Sequence, residues 1–263
     1  MHRLAHYLKV YRLFLATSFS EAMSFRAHFV LLVVMDLLFY GSALGSVGFV
    51  YEHVKTIGPW SRDQFLFFVS FMLAVDHLHM TFVSESFWMF SADLRSGLLD
   101  FVLLKPIGAI FSVFFRHARA ASLCNVFVPW ACLIHFGRRA GLGVAGLAAL
   151  PPLVVLALTL MVSLEILLST SMFWLVESMG INFLRMQLQQ VARMPDFVYR
   201  FFARKLFTVV FPVLLVGSAP VRFLFDPLDA RWLLGMAAAV GASWLAIAFF
   251  WRLGLRAYES ASS

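Results

Sequence analysis

Six stretches of this chain are long and apolar enough to cross a bilayer, and that limits what it can fold into more than any other feature. A hydrocarbon core takes about 20 apolar residues of helix. Residues 27–50, 64–84, 117–136, 147–176, 206–225 and 232–251 qualify. Open sheet edges do not survive in lipid, where unpaired N–H and C=O groups find no water. The expected fold is therefore an all-α integral membrane protein with six transmembrane helices. Only 13% of the residues are charged, against roughly 25% in a soluble domain, too few to coat a water-facing surface. A mean hydropathy of +0.85 agrees. In a soluble protein the net charge of +7 would point to nucleic acid. Here it reads as basic residues crowding one membrane face, with lipids and no nucleic acid as partners.

Several features modify the six-helix pattern. Pro151 and Pro152, near the start of the fourth stretch, predict a kink, a tilt or a non-spanning first turn. The fifth contains Pro212 and then Gly217-Ser218-Ala219-Pro220. Gly217 and Pro220 are expected to break that helix before its end, leaving a partly re-entrant element that protein or water must cover. Before the first span, Leu4, Tyr7, Leu8, Tyr11, Leu15 and Phe19 recur at steps of three and four, flanked by Arg3, Lys9 and Arg12. That pattern predicts an amphipathic helix lying on the membrane, so residues 1–26 divide from a membrane domain of 27–263. The N-terminus has no compact apolar core before a small-residue cleavage site, so no signal peptide is expected. Cys124 and Cys132 form no CxxC unit and read as buried structural thiols.

Orientation follows from the lysines and arginines of the connections. With the N-terminus inside, six of the 21 fall outside: Lys55, Arg62, Arg138, Arg139, Arg222 and Arg231. The rest are inside, which places both termini in the cytoplasm. Two large inner connections result, 85–116 and 177–205. The second alternates apolar and basic residues around Met194-Pro195, as an interfacial helix and a break would.

Ionisable residues inside spans are expensive and usually face the bundle interior. Asp36 lies in the first span, Asp76, His77 and His79 in the second, and Glu165 in the fourth. Asp76 and His79 are three apart and share a helical face, while His77 points elsewhere. Interhelical pairing, a polar translocation path, and acid–base chemistry in an intramembrane enzyme are the readings open to Asp36, Asp76, His79 and Glu165. No HExxH zinc motif, GxSxG elbow or GxxxxGK[ST] phosphate loop occurs. Neither a metal nor a catalytic group is expected on this chain. Any ATP-driven work needs an engine on another polypeptide; a channel or assembly scaffold that works without ATP is the other reading left open, although no selectivity-filter-like repeat occurs.

The stretch 91–106, SADLRSGLLDFVLLKP, interrupts the oily sequence with Asp93, Arg95, Asp100 and Lys105. Gly97 predicts a helix break and Pro106 a stop. Leu98, Leu99, Phe101, Val102, Leu103 and Leu104 supply an apolar face between the charges. Such an element suits docking into a partner's groove, or lying on headgroups as a solvated loop.

The run Leu94-Arg95-Ser96-Gly97-Leu98-Leu99-Asp100-Phe101-Val102-Leu103-Leu104-Lys105-Pro106 resembles the "IRSGELDFYLLKP" signature of ABC-2 type transporter permeases. Ser24 to Phe29 is similar to that family's "YRANF" entry to its first span. Ala192-Arg193-Met194-Pro195, with Phe211-Pro212 and Ser218-Ala219-Pro220, is similar to its "RYP … IP … YYP" pattern. The resemblance implies an ABC-2 exporter-like fold in a bacterial cytoplasmic membrane, coupled to a separate ABC ATPase dimer that holds ATP and Mg. It also implies a second permease subunit, identical or homologous. Asp93, Arg95, Gly97, Asp100, Lys105 and Pro106 would form the coupling element, and residues 1–26 a connecting helix. The family's Glu is Leu98 here, and the aromatic residue before Pro195 is Met194.

Overall fold

The computed structural model describes residues 2–175 and 179–258, and among these the chain is helical almost throughout, with a lone β-bridge between Ile57 and Trp60. Helix α1 (His2–Ser24) bends at Phe25 into α2 (Arg26–His53). A turn that buries Trp60 leads to α3 (Arg62–Phe82). The start of α3 is fixed by a capping box in which Ser61 Oγ accepts from the Gln64 N–H and the Gln64 side chain accepts from the Ser61 N–H. Phe67, Phe68, Phe71 and Ala74 are fully enclosed, and α3 is the central post of the bundle.

Three short helices follow: α4 (Ser84–Ser96), α5 (Leu98–Leu103) and α6 (Ala109–Phe114). A 3-10 turn at Ala120–Asn125 enters α7 (Phe127–Arg139). Helix α8 (Val144–Ala148) precedes α9 (Leu150–Thr170), which continues as a 3-10 turn to Phe173. Pro151 and Pro152 occupy the first turn of α9, where a missing N–H is no loss. They start the helix instead of bending it, and α8 is the non-spanning turn. The remaining helices are α10 (Met179–Ala192), α11 (Phe201–Lys205), α12 (Leu214–Phe225) and α13 (Arg231–Ala257), with a π-helical segment at Leu206–Val210. Among the described residues five segments are straight, long and apolar enough to span: α2, α3, Ala120–Arg139, Leu150–Phe173 and α13.

The remaining crossing is not where hydropathy put it. Helix α3 serves as a ruler, since its residues rise by about 1.5 Å each. Arg185 and Gln189 of α10 reach Glu165, which also binds His79 near the far end of α3. Eight residues after Arg185, Arg193 bonds Asp76, one turn higher. Phe197 then packs edge-on to Trp60, at the opposite end of α3, with centroids 4.8 Å apart. Residues 179–198 thus climb the full height of the bundle. They are the fifth crossing, not a connection lying along one face, and the 177–205 boundary is corrected accordingly; Glu177 itself lies outside the described residues.

Residues 206–225 do not cross. Phe201–Val210 and Leu214–Phe225 meet at 92°. Both limbs are tied at the Trp60 end, where Arg204 and Arg222 bind the fully buried Asp196. From there the chain dips beside α3 as far as Val213, then returns through Gly217 to Phe225, which packs on Phe67 and Trp60. The re-entrant element exists, but its break is misplaced by the sequence reading. It falls at 211–213, and Gly217 and Pro220 lie within α12. The inner majority of basic residues shrinks as a result, because Arg200, Arg204 and Lys205 belong with the Trp60 end. Six crossings remain, so the ends of α1 and α13 share the Gly97 end.

Gly217 is present for close approach. A Cβ built there would sit 2.6 Å from Met72 Sδ and 2.8 Å from a Phe68 ring carbon. A Gly217→Val substitution is expected to lower unfolding free energy by about 1–3 kcal/mol, read by denaturant titration in detergent. Unchanged stability would show that α12 does not seat on α3 in this register. Cys124 is exposed and Cys132 half-buried. The reading of both as buried thiols fails, because the 3-10 entry to α7 turns Cys124 outward.

Candidate functional site

The 91–106 stretch folds as an elbow at the Gly97 end. Helix α4 stops at Gly97, which adopts φ 73°, a left-handed conformation that only glycine takes without strain. The chain reverses into α5, which ends at Leu103, ahead of Pro106. The elbow's apolar residues divide in two. Leu99 and Val102 are buried against Phe90, Phe114 and Trp251 in a satellite core. Leu98, Phe101 and Leu104, spaced three apart, stand out at 50%, 68% and 80% exposure. Arg95 and Lys105 flank them, exposed, and Pro106 is exposed as well.

Asp93 differs from its neighbours. Its side chain is buried and accepts from Arg116 Nη2 at 2.6 Å, so it fastens α4 to the chain entering α7 and does not face a partner. Asp100 is half-buried beside Tyr258, whose phenol is raised in pKa by burial and by that carboxylate. Helix α1 braces the elbow from the other side. Tyr7 Oη accepts the Gly108 N–H at 3.0 Å, and its ring meets Phe111 at 5.0 Å. Ser18 Oγ accepts the Ala118 N–H. Tyr11 and Phe14 also pack on Phe111, so the apolar face of α1 includes Phe14 and turns Leu8 and Phe19 outward.

The buried acids are all partnered, each to a segment other than its own helix. Asp36 of α2 accepts from Arg119 Nη2 and Ser122 Oγ, both at 2.8 Å. Asp76 of α3 accepts from Arg193 Nε at 2.8 Å, and that guanidinium also lies over Phe39. Glu165 of α9 meets His79 Nε2 at 2.9 Å and Arg185 Nη1 at 3.1 Å, and accepts from Gln189 as well. Arg185 is 1% exposed and stacked on Phe87. His77 points away from this group, to Tyr40 Oη at 3.0 Å. Sequence reasoning found the four acidic and histidine positions but missed Arg119, Arg185, Arg193 and Asp196. A signal for α10 was available: Arg185, Gln189 and Arg193 recur at steps of four, one polar stripe on one helix face.

Of the four candidate polar-path residues, Asp76 lines a sizeable cavity. About 310 Å³ opens between α2, α3 and α10, with Ser42, Ser46, Gln190 and the Asp76–Arg193 pair among apolar walls. Glu165 borders a void of about 10 Å³, roughly the room of one water. Asp36 and His79 are occupied in pairs between helices.

An all-α bundle of apolar crossings, a hairpin that enters and leaves by one end, and an apolar knob at the other describe a polytopic membrane protein. The chain belongs to the ABC-2 family transporter proteins, whose family model matches residues 31–262. No curated protein and no solved structure matches it. It is therefore a membrane subunit of an ABC-type transporter.

Proposed function

We propose that this chain is the permease of an ATP-driven exporter and takes its force from a separate ATPase through α5. The observation that carries this reading is the outward row Leu98, Phe101 and Leu104 on an element whose inner residues Leu99 and Val102 are locked into the bundle. An apolar ridge with a basic rim suits a groove on a partner. The buried underside passes a push from that partner to Phe90, Phe114 and Trp251 of α13, and Tyr7 passes it to α1. The Gly97 end is then cytoplasmic, with both termini, in a bacterial cytoplasmic membrane, and ATP and Mg reside on the ATPase dimer. A second permease subunit, identical or homologous, completes the path on the open side of the α2–α3–α10 cavity. Asp76 and Arg193 cancel in charge there, among apolar walls, which favours an amphipathic or lipid-like cargo.

The test begins with purification in mild detergent and mass spectrometry of what accompanies the chain. A stoichiometric P-loop ATPase is expected. Phe101→Glu and Leu104→Glu should then lower transport-coupled ATP turnover at least about tenfold, since a charge in an interface anchor costs roughly 2 kcal/mol or more. Stability should be unchanged, because both side chains are exposed. Full coupling in both variants, or no ATPase at any detergent strength, would refute the proposal.

A further inference from the structure

A second cavity lies at the Gly97 end, away from α5 and from the Asp76 cavity. It holds about 280 Å³ between α1, α2, α4 and the chain entering α7. Its polar lining carries both signs of charge. Glu21 projects from α1 and Glu85 from the first turn of α4, and neither has an ion-pair partner among the described residues. Arg119 is the facing cation. Its Nη2 is committed to Asp36, and its Nε–H is buried with no acceptor among the described residues. His28 and His117 complete the ring of titratable groups. Burial and the neighbouring Arg116 push the His117 imidazole down, Asp93 and Glu21 offsetting part of this, so His117 adds no positive charge near neutral pH.

The apolar part of the lining runs along one helix face. Phe25, Phe29 and Leu32 line the groove, and the same helix continues toward the bilayer interior with Val30, Leu31 and Val34 exposed. The groove therefore has a bipolar mouth and an oily trail, at the level where a bent interfacial helix meets a span.

We infer that this groove binds a phospholipid with a primary-ammonium zwitterionic headgroup, its ammonium between Glu21 and Glu85 and its phosphate toward Arg119. A primary ammonium offers three N–H donors to two carboxylates that have no ion-pair partner among the described residues. A trimethylammonium head offers none, and an anionic head sets its charge against both glutamates. The acyl chains follow Phe29 and Leu32 down α2. The inference does not depend on the direction of transport or on the ATPase.

The experiment is native mass spectrometry of the purified full-length protein, with whatever subunits accompany it, after exchange into detergent containing phosphatidylethanolamine, phosphatidylcholine or phosphatidylglycerol of matched chains. The ethanolamine lipid should be retained about tenfold over the other two, the worth of one charge-assisted hydrogen bond. The Glu21→Gln/Glu85→Gln variant should lose that preference, while Glu52→Gln at the other end of α2 should keep it. Both glutamates are exposed and make no ion pair among the described residues, so the variant is expected to fold, and thermal unfolding checks this. Equal retention of the three lipids, or an undiminished preference in the double variant, overturns the assignment.

Discussion

Replacing Glu165 with leucine is expected to destabilise the protein by about 3–5 kcal/mol, the usual loss when one partner of a buried ion pair is removed. The reason is Arg185, which is 1% exposed and finds its counter-charge in Glu165. Without that carboxylate a guanidinium is left inside the bundle, facing His79 and the ring of Phe87. The reciprocal change, Arg185→Met, leaves a carboxylate that His79 and Gln189 still contact, so it should cost less. The double variant Glu165→Leu/Arg185→Met removes both charges and should recover most of the loss, since apolar replacement of a whole buried pair is often neutral. Unfolding in detergent measures all three. A Glu165→Leu protein as stable as the wild type would mean that α10 does not pack against α9 through this group.

The second large effect is one of sidedness. With Cys124→Ser and Cys132→Ser as background, a cysteine at Arg200 should react with an impermeant maleimide from the side that labels Lys55→Cys. A cysteine at Lys105 should react from the other side only. All three positions are exposed. The fifth crossing at 179–198 requires this pattern, because Phe197 has reached Trp60 by then. If Arg200 and Lys105 label from one side, residues 179–205 are a surface connection after all and the climb along α3 is wrong.

Much of the architecture was legible from hydropathy because lipid permits so few backbones. The spans around α2, α3, α9 and α13 announce themselves as long apolar runs, and Gly97 announces the elbow through its backbone freedom. The fifth crossing escaped for a physical reason. Asn182, Arg185, Gln189 and Arg193 lower its apparent hydrophobicity, yet each of these side chains has a bond to Glu165, Asp76 or a neighbour, so the segment presents little unpaired charge to its surroundings. Hydropathy weighs side chains one at a time and does not see the pairing. The opposite error made 206–225 look like a span. Its residues are apolar, but Phe211-Pro212 turns the chain, and Asp196 clamps both limbs at one end. At the elbow, sequence could name the charges but not their facing, so Asp93 joined the docking set although Arg116 holds it inward.

The pairing of α10 also dictates the order in which the chain can be built into a membrane. An arginine near the middle of a lone helix costs roughly 2.5–3.5 kcal/mol to insert, and this segment carries two. Its counter-charges sit on α3 and α9, both synthesised earlier. The ribosome thus delivers the acids first, into helices apolar enough to enter by themselves, and the basic helix follows once its partners are in place. Biogenesis runs in one direction here: the first four crossings form the receptacle for the fifth, and the hairpin and α13 close over it.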